Sequence, residues 1–211
     1  MNKKRVLILA PHTDDGEFGC GGTINKLIEK EVEVFYASFS FAKKSLPEGV
    51  PLDSTEKELY RATGILGIRR ENVITYDYEV RVFPTYRQGI LEDMILLKKD
   101  IKPDLVFLPN SKDTHQDHNV IHNEGYRAFK KSSLLGFESI WNNSIFAANF
   151  FVSLEEQHIY KKIAAMHCYK SQMGRDAGKG EIMRMLARVR GSQIGKEYAE
   201  CFEDIRYIIN F

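Results

Sequence analysis

Residues 6–10, Val-Leu-Ile-Leu-Ala, form an unbroken apolar run that gives way two residues later to His12-Thr-Asp-Asp-Gly-Glu-Phe-Gly-Cys-Gly-Gly22. A short, wholly apolar run of this kind reads as a strand buried on both faces, as parallel sheets require. Ile24, Leu27 and Ile28 then repeat at helical spacing. The chain must therefore pass from a strand through a glycine-rich turn into a helix. Open α/β sheets place their ligands at the carboxyl ends of such strands.

That turn has three readings. A dinucleotide cradle is disfavoured, because the Gly19-Cys-Gly-Gly22 spacing misses G-x-G-x-x-G and Asp14, Asp15 and Glu17 would repel a pyrophosphate. A metal half-site would bring His12 and Asp15 onto one divalent ion and keep Asp14 beside it as a base. A merely structural turn would use Asp14 or Asp15 as a helix cap. The turn alone does not separate the last two.

The following residues repeat the strand–helix alternation. Residues 32–38 read as a second strand, and 40–51 as a loop. Thr55-Glu-Lys-Glu58 resembles a capping box opening a helix with Leu59, Ala62 and Leu66 on one face. A third strand is expected at 73–76, a helix at 87–100, and a fourth strand at 105–108 after Lys102-Pro-Asp104. This βαβαβαβ succession predicts a Rossmann-like α/β fold, a mostly parallel twisted sheet flanked by helices, with strands one and four adjacent across a switch point. Beyond it, 138–153 predict one or two strands and Ser153-x-x-Glu156 a capped helix followed by His167. The glycine and charge bias of 171–180 suggests a lid or a disordered loop; 183–189 read as a helix, Gly191 and Gly195 as a turn, and 205–211 as a closing strand. No repeat or linker interrupts 211 residues, so one domain over 1–211 is expected.

The topology joins a second polar stretch to the first. After strand four comes Asn110-Ser-Lys-Asp-Thr-His115-Gln-Asp-His118, and adjacent strands would deliver it to the same crevice as His12, Asp14 and Asp15. Three of the six histidines fall at 115, 118 and 122. His118 and His122 have the i, i+4 spacing of H-E-x-x-H, but Asn119 stands where that motif has its glutamate, so His122 reads as structural or supporting.

Composition removes several classes. Thirty Lys and Arg against 29 Asp and Glu give a net charge of +1, so no nucleic-acid partner is expected. Cys20, Cys168 and Cys201 have no C-x-x-C spacing, which argues against a disulfide framework and for a reducing compartment. The basic residues 2–5 precede an apolar run too short for a signal peptide, and no run long enough to span a membrane follows. A cytoplasmic location is expected. Oligomeric state is not legible, and a homo-oligomer stays open.

The two polar stretches on this chain resemble the PIG-L/LmbE family of metal-dependent N-deacetylases, whose signatures are A-H-P-D-D and H-P-D-H. The resemblance extends through Gly19-x-Gly-Gly22-Thr, Arg61-Ala, Leu66-Gly-Ile68, Lys102-Pro-Asp104, residues 162–172 with His167 and Ser171-Gln172, Arg190-Gly191, and Gly195-x-x-Tyr198-Ala-Glu200-x-Phe202. It implies Zn2+, with Fe2+ or another divalent metal as alternatives, on His12, Asp15 and His118. It further implies Asp14 as general base and His115 as a group that stabilises or protonates the transition state, with Asp117 tuning it. The implied reaction removes acetyl from an N-acetylated amino sugar of N-acetylglucosamine type, whose carrier the residues do not name.

Thr13 and Gln116 replace the family's prolines, and Gly16 stands where many members carry glutamate, with Glu17 one place later. These departures bear on loop rigidity rather than on the chemistry. Arg87 and Arg190 are candidate substrate contacts; Arg81 reads more readily as a solvated surface residue, as does the Lys43-Lys44 pair. Two alternatives remain: hydrolysis of another amide or ester, and non-catalytic binding of a sugar or nucleotide on the same fold.

Overall fold

Four strands in the first half of the chain lie parallel, and each feeds a helix. The structure, a computed structural model, describes residues 3–172 and 179–209. β1 (Arg5–His12) leads to α1 (Asp15–Glu29), β2 (Glu33–Ser40) to α2 (Ser54–Leu66), β3 (Val73–Thr75) to α3 (Phe83–Ile101), and β4 (Leu105–Pro109) to α4 (Gln116–Ala128). β5 (Ser133–Phe137), β6 (Phe150–Leu154), α5 (Glu156–Met166), α6 (Lys179–Ser192) and β7 (Tyr198–Arg206) follow. The strands form one sheet in the order β3-β2-β1-β4-β5-β7-β6, antiparallel only where β7 pairs with β5 and β6. β1 lies beside β4, with Val6 opposite Leu105 and Ile8 opposite Phe107. Strand order reverses between them, so the loops after β1 and β4 part to leave a crevice.

The period of two in β1 builds both halves of the core. Val6, Ile8 and Ala10 join Ile24, Leu59 and Ala165 on one face of the sheet. Leu7 and Leu9 join Phe83, Ile90, Met94 and Ile121 on the other. Burial of both faces explains why the strand has no polar alternation.

The glycine-rich stretch is helical, not a turn. α1 starts at Asp15 and kinks at Cys20, whose φ is −148°. The glycines serve close packing: a Cβ on Gly16 would lie 2.4 Å from the Tyr36 ring, and one on Gly19 2.5 Å from Phe137. At the kink, Gly22 and Thr23 donate their N–H groups to the Glu200 carboxylate of β7 at 3.0 and 2.7 Å, and Lys162 of α5 pairs with it at 2.6 Å.

Other boundaries move for identifiable reasons. The Thr55 hydroxyl donates to the Phe41 carbonyl and Glu58 accepts from Ser171, so neither makes a capping box. The capping box at α5 is instead formed by Glu155 and His158, because β6 runs on through Leu154. β5, with Ser133 and Gly136, falls before the segment expected to hold strands. The closing strand is 198–206 rather than 205–211; Glu200 interrupts its apolar pattern, and Lys162 neutralises that charge inside the fold. The suggested lid at 171–180 lies largely outside the described residues.

Candidate metal centre and active site

His12 is the last residue of β1, and three contacts to two carboxylates fix its position. Its backbone N–H donates to Asp15 Oδ2 at 2.8 Å, its Nδ1 lies 3.1 Å from the same oxygen, and its Nε2 lies 3.1 Å from Asp117 Oδ2. His118, on the first turns of α4, brings Nε2 to 3.3 Å from Asp15 Oδ2. One carboxylate oxygen thus sits between two imidazoles, one at the end of β1 and the other on the helix that follows the neighbouring β4.

Among the described residues two overlapping groups could hold a cation: His12 with Asp15 and His118, and His12 with His115 and Asp117, each with ligand atoms within 4.8 Å of one another. The first is the better donor set. Asp117 is already committed, since it accepts the backbone N–H groups of Arg81 and Phe83 at 2.6 and 3.2 Å besides facing His12. Its carboxylate orients His12 from behind, in the manner of outer-shell partners of metal ligands. Its backbone N–H donates to His115 Nδ1 at 3.2 Å, and its charge works against the lowering of the His115 pKa.

Asp113 supplies the equivalent support for His118. Its Oδ2 lies 2.7 Å from His118 Nδ1 while its Oδ1 accepts the His115 N–H at 2.9 Å. An Nδ1–H donated to a buried carboxylate leaves Nε2 as the ligand atom. Asp113→Ala should therefore weaken zinc binding by about 10–100-fold, read by competition with a chromogenic chelator. Unchanged affinity would remove Asp113 from this role.

The electrostatics fit a cation. Burial disfavours charge on His12, yet Asp117 and Asp15 raise its pKa to about 9; burial likewise opposes charge on His118, which Asp15 and Asp113 raise to about 10. Burial would raise Asp15, but His118 and His12 hold it well below the usual carboxylate range. Two imidazolium groups gripping one carboxylate present the charge that a divalent ion would replace on displacing their protons. His115 differs: burial, with His118 and His12 nearby, lowers its pKa. It is neutral near pH 7, and because Nδ1 accepts from Asp117, Nε2 carries the proton.

Asp14 stands at the N-cap position of α1, yet its side chain makes no capping hydrogen bond. With His12, Thr13, His115, Ala42, Ser45, Val80 and Arg81 it lines a crevice of ≈ 210 Å³. Arg81 reaches this site in a left-handed backbone conformation, φ 72°, and its guanidinium donates to Ser45 at 3.1 Å. A bulky residue at positive φ is held there by its surroundings, and such strain gathers at functional sites.

The other candidate residues lie elsewhere. Arg87 is paired with the buried Glu124 carboxylate, which Arg127 also pairs with, and so ties α3 to α4. Arg190 grips Glu138 with two nitrogens, at 3.1 and 2.5 Å. His122 Nδ1 faces the Pro109 carbonyl at 2.8 Å. Lys43 and Lys44 pair with Asp77 and Glu79.

Comparison with known proteins bears on the fold and the family of the chain. A diacetylchitobiose deacetylase of Thermococcus kodakarensis is 23% identical over 93% of this chain and 81% of its own. A conserved protein of Thermus thermophilus superposes with a TM-score of 0.80 at 25% identity, covering 98% of this chain and 96% of its own. An N,N'-diacetylchitobiose deacetylase of Pyrococcus horikoshii has the same fold, with a TM-score of 0.80 at 22% identity over 96% of this chain and 84% of its own. The family described as PIG-L, GlcNAc-PI de-N-acetylase, matches residues 7–129, which carry both histidine–aspartate stretches, and the chain belongs to that family.

Proposed function

We propose that this chain hydrolyses the acetamide of an N-acetylated amino sugar of N-acetylglucosamine type, with zinc on His12, Asp15 and His118. The observation that carries the reading is the His12–Asp15–His118 cluster, in which His118 is buried and the other two are partly buried, with Asp14 on the adjoining crevice wall. A divalent metal bound there would polarise the carbonyl and acidify water. Asp14 accepts the proton of the attacking water and returns it to the departing amine. His115 donates its Nε2–H to the oxygen that becomes negative, a hydrogen bond that strengthens as charge develops. Asp117 and Asp113 hold the ligand histidines in register. For sugar hydroxyls the reading favours Arg81 over Arg87 and Arg190, which Glu124 and Glu138 already engage. All of 1–211 acts as one catalytic domain, and the free thiols of Cys20, Cys168 and Cys201 suit a cytoplasmic setting.

Acetate release from N-acetylglucosamine and its glycosides is the direct test. The metal-loaded protein should release acetate, chelation should abolish the release, and about one equivalent of zinc or ferrous iron should restore it. Release that persists without metal would overturn the metal site. Faster turnover of O-acetyl than of N-acetyl sugars would reassign the bond.

A further inference from the structure

We infer that Trp141, with Phe18 at its edge, is a stacking platform for an uncharged sugar ring beyond the one that is deacetylated. The inference rests on the amino-sugar reading above and assigns a second ring of the substrate. Trp141 is the only tryptophan of the chain and is 50% exposed. It lies in segment 138–149, which connects β5 to β6 without helix or strand and leaves the sheet at the carboxyl end of β5, the edge that also carries His12 and the loop after β4.

The indole is held beside both ligand-bearing stretches. On one side its ring meets Phe18 edge-on, with centroids 5.5 Å apart at 86°. Phe18 lies one helical turn beyond Asp14, to whose carbonyl it donates its N–H at 3.1 Å. On the other side the next residue, Asn142, accepts from the Thr114 N–H at 3.1 Å and from its hydroxyl at 2.8 Å, and Thr114 precedes His115. These contacts put Trp141 next to the two stretches that supply Asp14 and His115 to the crevice, where a second ring of the substrate would meet it.

The platform is also rigid before anything binds. Asn143 and Asn110 exchange amide hydrogen bonds at 2.9 and 3.0 Å, and Asn143 accepts the Ser139 N–H at 3.1 Å. Arg190 fixes Glu138 at the start of the segment and lies 5.6 Å from the Phe146 ring centroid. An exposed indole on an ordered loop incurs little ordering cost when a ligand covers it. A pyranose offers one face of C–H groups that matches an aromatic plane and a rim of hydroxyls that stays hydrated.

Because no other tryptophan is present, intrinsic fluorescence reads this position alone. Titration with β-1,4-linked N-acetylglucosamine dimers and trimers should give a saturable change in Trp141 emission, larger and at lower concentration than the monomer gives. Trp141→Ala should raise KM for the dimer about tenfold more than KM for the monomer, and Trp141→Phe should recover most of the difference. Saturable acetate release with no emission change, and equal KM effects on monomer and dimer, would overturn the platform. If the metal-loaded protein released no acetate from any sugar, the deacetylase reading would fail separately. The emission titration would still decide the platform: a saturable response to the oligomers sustains it, and none overturns it.

Discussion

Asp14→Asn should retain its metal and lose turnover by about 10³-fold, in the range that a positioned general base supplies. Asparagine preserves the shape of the side chain but cannot take the proton of water. His12, Asp15 and His118 are held by one another and by Asp117 and Asp113. Asp14 also makes no capping hydrogen bond whose loss would unfold the start of α1. Asp15→Asn removes the charge shared by two imidazoles, and there metal content itself should fall. Metal analysis together with kcat for acetate release distinguishes the two. Near-full turnover of Asp14→Asn with metal bound would place the base elsewhere, and His115 would be the remaining group on the crevice wall.

The contrast between Asp14 and Asp113 shows which parts of the site were legible beforehand. His12, Asp14, Asp15, His115, Asp117 and His118 stand in two short runs directly after apolar strands, and the alternation of elements places those strands side by side. The convergence of the runs needs only topology. Asp113 resembles any turn-forming aspartate in a polar loop. Its link to His118 exists only because α4 starts at Gln116 and turns the imidazole back over the loop. Arg87 and Arg81 show the reverse error: spacing in a loop after β3 cannot tell which arginine has a buried carboxylate waiting on the next helix. In β7 the charges of Glu200 and Glu203 concealed a buried strand, since the residues that balance Glu200 lie in α1 and α5. Local periodicity carried the sheet; pairings distant in sequence carried its exceptions.

Glu17 is the strongest of those exceptions. It is fully buried beneath the ligand stretch, with Tyr36 Oη 2.6 Å from one carboxyl oxygen and Tyr169 Oη 2.9 Å from the other. The same two hydroxyls lie 3.0 and 2.6 Å from the Thr13 carbonyl. Two phenolic hydrogens cannot fill four such contacts, and a proton on Glu17 supplies a third hydrogen. Burial raises its pKa to about 8, against the smaller lowering by the tyrosines. The folded protein thus binds a proton that the unfolded chain releases above its ordinary carboxyl pKa of about 4.3. Stability from this site is complete below that pH, falls as pH rises toward 8, and levels off above it.

Glu17→Gln cannot ionise and retains a donor and an acceptor for the two phenols. In the metal-free proteins every other titration is shared, so the difference between variant and wild type isolates this residue. The variant should melt roughly 5–10 °C higher at pH 8, corresponding to about 2–4 kcal/mol, and the advantage should vanish by pH 4.5. Parallel curves of Tm against pH would show that Glu17 is ionised in the folded protein. A falling gap would show that the Thr13 carbonyl, between His12 and Asp14, is anchored by a neutral hydrogen-bonded cluster. That arrangement would give the ligand stretch its rigidity without the proline of the A-H-P-D-D signature, in whose place Thr13 stands.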